Sequence, residues 1–241
     1  MAHESSITSF TYSVTRKTSH TSLAFETVMA NLYASIGKPT DLQWPTIAAS
    51  ITSHEEINKE KFVEGVEAAV GPQGFMNFGE LNHGCWLPLF NINSNPQLGL
   101  KRIILGNPLI AITMLSQSSK SLDAGLFVPV EILVRQLSGE QGTEITWQVP
   151  STLIGALDRG NNGLLTAAQV LDGKLEELIT FIGSGAFWDR VQKVKSRYTY
   201  TNPSYANKSS MKCWYPTRYY NVGEYMRPKP SIGWTERVEF V

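Results

Sequence analysis

The chain has 241 residues, of which 42% are hydrophobic, and this is enough to bury a sizeable core in one large domain. Its 21 basic and 21 acidic residues give a formal net charge of zero, which argues against nucleic acid or an anionic membrane as the main partner. The start of the chain is polar, and no apolar run approaches the ~18 residues of a membrane span, so we expect a cytoplasmic protein.

The two cysteines, Cys85 and Cys213, lie far apart and lack the repeated close spacing of a disulfide framework or a thiolate zinc site. We therefore expect reduced thiols and no metal. The chain also lacks the motifs Gly-x-Ser-x-Gly and His-Glu-x-x-His, which gives a serine hydrolase or a zinc enzyme little support. No cofactor is expected.

The first elements follow from hydrophobic periodicity. Phe10, Tyr12 and Val14 alternate with polar residues up to Lys17, which predicts a strand with one buried face. From Ser22 the apolar residues follow a helical period, which predicts the first helix. Its apolar positions are Phe25, Val28, Leu32 and Ile36, and it ends at Gly37 and Pro39, which do not continue a helix.

A connector, residues 38–52, leads to the sequence Ser53-His54-Glu55-Glu56, which has the pattern of a capping box. It predicts a second helix that ends at Gly71-Pro72. The residues that this helix is expected to bury are Ile57, Phe62, Val66 and Ala69. Short apolar runs at 75–81 and 100–105 then predict two strands, joined through a loop that begins with residues 82–86.

Asn107-Pro108 predicts the start of a third helix, which ends near Ser119, because proline suits the first turn. The β-branched runs 127–137 and 143–149 predict a hairpin. A long helix then closes the domain, with its stripe at Leu171, Leu175, Leu178 and Ile182. The order of elements lacks βαβ alternation, so we expect an α+β fold, an antiparallel sheet with helices packed on one side.

A polar group follows the second predicted strand and is the main candidate site. Glu80 and His83 would form a general acid/base pair if the chain bends at the glycine of Asn82-His83-Gly84. The alternative is that His83 only ties the loop to the sheet. Asn107 has two interpretations as well, contact with an anion at the helix start or a capping residue, and the capping role is favoured.

The segments 74–83 (GFMNFGELNH), 104–108 (ILGNP) and 124–129 (AGLFVP) together resemble the domain-of-unknown-function 302 family. The resemblance covers roughly residues 8–155 and indicates a longer, fungal-type member. It implies a compact fold of the TATA-binding-protein-like or helix-grip-like kind and a homodimer. It implies no known activity.

Residues 184–241 differ in composition from the rest and hold 12 of the 25 aromatic residues, with 10 basic residues against 4 acidic. Basic residues interleaved with aromatics can bind single-stranded nucleic acid, but the neutral chain has no RNA-binding motif, so this is the less favoured interpretation. Because so many rings need burial, the segment predicts a C-terminal strap, a short helix and an extended stretch. We expect it to pack on the main domain, residues 1–183, or on a partner subunit.

Together these features predict a protein that handles a small molecule. The leading hypothesis is a cofactor-independent lyase, isomerase or cyclase of specialised metabolism, with Glu80 and His83 as the catalytic residues. The alternative is a non-catalytic ligand-binding or regulatory module whose strap mediates dimerisation. The expected ligand contacts are Asn82, Cys85, Trp86 and Asn107, with Arg218 and Arg227 of the strap holding a carboxylate or enolate.

Overall fold

The computed structural model describes residues 6–90 and 99–185, and its centre is one antiparallel sheet of five strands in the order β1-β5-β4-β3-β2. The strands are β1 (Arg16–Thr21), β2 (Met76–Asn82), β3 (Leu100–Gly106), β4 (Val130–Gln136) and β5 (Thr143–Gln148). The helices are α1 (Phe25–Ile36), α2 (Trp44–Ala49), α3 (Glu56–Ala69), α4 (Pro108–Leu115), α5 (Pro150–Ile154) and α6 (Asn162–Gly183). The predicted α+β class and antiparallel sheet are confirmed.

The main core lies on one face of this sheet, which we call the helical face. Side chains alternate along a strand, so every second residue of the central strands points to this face. Those buried here include Ile103, Leu105, Ile132, Val134 and Ile145. The apolar stripes of α1 and α6 cover them, and the predicted stripe residues of both helices are buried. Both helices therefore form where their sequence periodicity predicts them.

A second, smaller core contradicts the prediction that all helices pack on one side. Phe75 and Met76 are adjacent and both buried, yet Phe75 belongs to the main core whereas Met76 packs with Ile47 of α2 and Val66 of α3. Consecutive strand residues point to opposite faces, so α2 and α3 pack on the other face at the start of β2. The prediction is wrong for these two helices.

The first strand begins later than predicted. Its ladder with β5 starts at Arg16, opposite Gln148, and Phe10 is 60% exposed instead of forming part of a strand. The ladder ends here because β5 ends at Gln148 and the chain turns into α5 at Pro150. Alternation of apolar residues alone could not reveal where the partner strand stops.

The predicted capping box is also absent. Helix α3 begins at Glu56, and its N-cap residue Glu55 makes no capping bond through its side chain. The Ser53 hydroxyl instead accepts a hydrogen bond from the Asn58 side chain. Ile57 lies five residues before Phe62, a spacing that turns it away from the buried side of a helix, and it is 52% exposed, contrary to prediction. None of the helices in the described part of the chain has the length and apolarity that a membrane span requires.

Candidate functional site

Three titratable side chains meet on the helical face of the sheet, where α1 crosses β2 and β3. The Tyr33 hydroxyl donates a hydrogen bond of 2.5 Å to Oε2 of Glu80. Lys101 Nζ lies 2.9 Å from Oε1 of the same carboxylate and donates to the Tyr33 oxygen, also at 2.9 Å. Each of the three groups therefore contacts the other two. We call this set the polar triangle.

The register of the sheet explains why these residues meet. Glu80 lies opposite Ile103, and Lys101, two residues before Ile103, shares its face. Tyr33 projects onto the same place from the third turn of α1. The three residues are far apart in the chain, so no local spacing in the sequence reports their contact. Sequence analysis found Glu80 but missed Tyr33 and Lys101.

The surroundings of the polar triangle hold its phenol in the neutral form. Burial, the hydrogen bond to Glu80 and the negative charges of Glu80 and Glu26 together raise the pKa of Tyr33 far above its usual value. The side chains of Glu80 and Lys101 are only 11% and 21% exposed. With its carboxylate bound by two donors, the triangle joins α1 to the β2–β3 pair and satisfies the polar groups that this junction covers.

His83 lies on the opposite face of the sheet from Glu80. It is three residues further along, and extended backbone turns residues at odd spacing to opposite sides. His83 begins a short 3-10 turn, His83–Cys85, and its ring contacts the Trp86 ring edge-on with centroids 5.6 Å apart. Within the described part of the chain, no hydrogen bond or ion pair joins His83 to Glu80. The bend at Gly84 does not bring the predicted acid/base pair together.

The other predicted contacts of this loop surround His83. Asn82 is exposed at the end of β2, on the same face as Glu80, and Trp86 is 38% exposed. Cys85 is half-buried and is bonded in a disulfide, so the prediction of a reduced thiol is wrong for this residue. Three predicted residues lie outside the described part of the chain, as does the strap from residue 186 onward: Cys213, Arg218 and Arg227.

An apolar cavity of about 290 Å3 lies between α4, the start of β4 and the second core. Three aromatic rings form one wall: Trp44 of α2, Phe62 of α3 and Phe78 of β2. Trp44 lies edge-on to Phe62 at 6.4 Å between centroids and is tilted against Phe78 at 5.2 Å. The other wall is mainly aliphatic and comes from α4, β4 and α6, including Ile110, Ala111, Met114, Val130 and Leu171. Sequence analysis missed this cavity, because its aromatic residues belong to three separate elements.

Of the predicted ligand contacts in the described part of the chain, Asn107 is the one that lines the cavity. Its side-chain oxygen accepts from the Leu109 N–H at 2.9 Å, and its side-chain nitrogen donates to the Gly74 carbonyl at 3.1 Å. The first bond confirms the favoured interpretation of Asn107 as the cap of α4. Both functions of the amide are used in holding the helix start, which leaves the cavity wall without a free polar group at this point.

Comparison with known proteins identifies the family but assigns no activity. No curated protein matches the chain. It is similar to an uncharacterized conserved DUF302 protein from Bacillus stearothermophilus, known from a crystal structure, at 17% identity and a TM-score of 0.45, over 69% of this chain and 97% of that one. The family model for the domain of unknown function DUF302 matches residues 50–182. This range starts later than the resemblance read from the sequence and extends further, so it includes α6. The chain therefore belongs to the DUF302 family.

Proposed function

We propose that this protein binds a small, neutral, apolar molecule in the cavity beside α4. The observation that supports this proposal most directly is the chemistry of the cavity wall. The described residues that line it include aromatic rings, aliphatic side chains, two prolines and a glycine, and none of them titrates. A charged ligand would lose its hydration there without gaining a partner, which is costly.

The volume of the cavity sets the size of the ligand. An apolar cavity of about 150 Å3 in a protein interior binds benzene. At about 290 Å3, the cavity beside α4 has room for a body of roughly two fused rings or an equivalent branched aliphatic group. Trp44, Phe62 and Phe78 line one wall, and a further aromatic ring can pack against them in an offset or edge-to-face arrangement.

Naphthalene is a suitable probe, because it is neutral, apolar and of the right size. We expect the full chain to bind it, as measured by saturation-transfer NMR. The variant Ala111→Phe places a ring in the cavity and should abolish the signal. The matched variant Thr113→Phe adds the same ring two residues along α4 at an exposed position and should keep it. Wild-type protein that gave no signal, or equal signals from both variants, would contradict the proposal.

The acid–base enzyme of the leading hypothesis stays a prediction. Neither Glu80 nor His83 is among the residues that line the cavity, so ligand binding has the more direct support. The predicted homodimer and the predicted place in specialised metabolism are likewise proposals. So is the closer likeness to TATA-binding-protein-like or helix-grip folds. Light scattering of the full chain at micromolar concentration tests the dimer, since the monomer has a mass of 26.8 kDa.

A further inference from the structure

A groove of about 650 Å3 crosses the face of the sheet opposite the helical face. It is lined from all five strands or the turns that follow them, and α5 forms a wall near β1. Apolar residues make up much of its surface, among them Leu100, Phe127, Leu133 and Leu153. It shares Pro129 and Val130 with the lining of the proposed ligand cavity, but α2, α3 and α4, which form most of that cavity, contribute nothing to the groove.

The residues that line this groove include two arginines and one glutamate, so its lining carries more positive than negative charge. Arg102 is neutralised locally, because its Nε donates to Oε2 of Glu131 at 2.7 Å. Arg16 also lines the groove, and within the described part of the chain no carboxylate pairs with it. His83 lines the groove as well, at the end of β2. The groove therefore combines an apolar surface with the Arg16 guanidinium, which no carboxylate of the described residues neutralises.

Arg16 is held in place by backbone contacts on both sides. It pairs with Gln148 at the start of the β1–β5 ladder. The preceding residue, Thr15, accepts a hydrogen bond from the Val149 N–H at 2.8 Å and donates its own N–H to the Thr152 hydroxyl at 3.1 Å. These bonds fix the backbone of Arg16 next to α5, so the guanidinium emerges from a rigid part of the fold.

The dimensions of the sheet give the length of the groove. Arg16 belongs to β1 at one edge, and His83 follows β2 at the other edge. Four strand spacings separate these edges, or about 19 Å at ~4.8 Å per spacing. An elongated apolar body can therefore lie across the strands with one end beside Arg16.

We propose that this groove binds an organic acid with an elongated apolar body, with its carboxylate held by Arg16. A guanidinium pairs with a carboxylate through two parallel hydrogen bonds, which gives both affinity and orientation. The apolar residues along the groove contact the remainder of the ligand. The proposal is independent of the function proposed for the cavity, which has no charged group to hold a carboxylate.

Decanoate and its neutral counterpart 1-decanol test this proposal by calorimetric titration of the full chain. We expect decanoate to bind more tightly than decanol. In Arg16→Gln, its affinity should fall about tenfold or more, as the loss of a charge-assisted pair implies. Arg16→Lys keeps the charge but loses the paired geometry, so it should give an intermediate value. Arg135→Gln is the matched control, because Arg135 lies on the same face, outside the groove lining and paired with Glu144.

Ala111→Phe separates this site from the cavity, since filling the cavity should leave decanoate binding unchanged. Three results would overturn the proposal: wild-type protein that does not bind decanoate, Arg16→Gln that binds it as tightly as wild type does, or binding that is lost in Ala111→Phe. Loss of naphthalene binding with retained decanoate binding would reject only the cavity proposal.

Discussion

Tyr33 and Glu80 are 47 residues apart in the chain, yet the phenol of one donates a hydrogen bond of 2.5 Å to the carboxylate of the other. Lys101 completes the polar triangle from the neighbouring strand. This contact joins the first long helix to the sheet through polar groups at the rim of an otherwise apolar interface. Its contribution can be measured as a change in the free energy of unfolding of variants.

The variant Tyr33→Phe should lower the free energy of unfolding by about 1.5–3 kcal/mol at neutral pH, because it removes a hydrogen bond to a charged group. This difference should shrink above about pH 10, the usual pKa of tyrosine. In the wild type, the folded state keeps the Tyr33 proton that the unfolded state releases, since the pKa of Tyr33 is raised by folding. The folded state then binds more protons, so stability falls as pH rises.

Urea unfolding of both proteins across this pH range measures the effect. Tyr12→Phe is the control, because the described contacts of Tyr12 are with the rings of Phe10 and Phe127. A difference between wild type and Tyr33→Phe that stayed constant through the alkaline range would contradict the expectation.

A double-mutant cycle tests the ion pair of the triangle. Lys101→Met leaves the Glu80 carboxylate, which is 11% exposed, with the Tyr33 phenol as its one side-chain partner among the described residues. We expect a loss of about 2–4 kcal/mol, somewhat less than the roughly 3–5 kcal/mol for breaking a fully buried pair, because the Lys101 side chain keeps some contact with water. Glu80→Leu combined with Lys101→Met should recover part of that loss, since no unpaired charge remains. Strictly additive single effects in urea unfolding would show that the pair is not coupled.

Two glycines, one just after a helix and one within a helix, should respond in opposite ways to alanine. A methyl group on Gly71, after α3, would lie 1.7 Å from the carbonyl oxygen of Ser35, so Gly71→Ala must displace backbone. We expect it to cost at least ~2 kcal/mol. Gly173 lies within α6 with nothing near the added methyl group, so Gly173→Ala should stabilise by ~0.5–1 kcal/mol. Thermal unfolding measures both, and equal shifts would contradict the described approach of α1 and α3.

Asn107→Ala should lower the free energy of unfolding by about 1–2 kcal/mol, because it removes the cap of α4. Asn107→Asp keeps the capping oxygen but loses the bond to the Gly74 carbonyl, so its effect should be smaller. Urea unfolding gives the values. If Asn107→Ala abolished naphthalene binding at unchanged stability, Asn107 would be a ligand contact and not a structural residue.

Local pattern was sufficient for most of the secondary structure. Helices α1 and α6 form where the apolar stripes predict them, and Asn107-Pro108 begins α4, because periodicity and capping act within a few residues. The start of β1 was predicted too early, because a strand needs a partner, and the end of that partner is set at Pro150, far along the chain. Helices α2 and α5 were not predicted, because each is too short to carry a full apolar stripe.

The sequence by itself determined the α+β class and one member of the polar triangle, Glu80. Only the tertiary structure decided the partners of that carboxylate, because cross-strand register and helix packing bring Tyr33 and Lys101 to it from distant parts of the chain. It also decided that His83 faces the other side of the sheet. The apolar cavity and the groove arise in the same way, since each is enclosed by side chains from several elements, and the space between elements has no counterpart in local sequence.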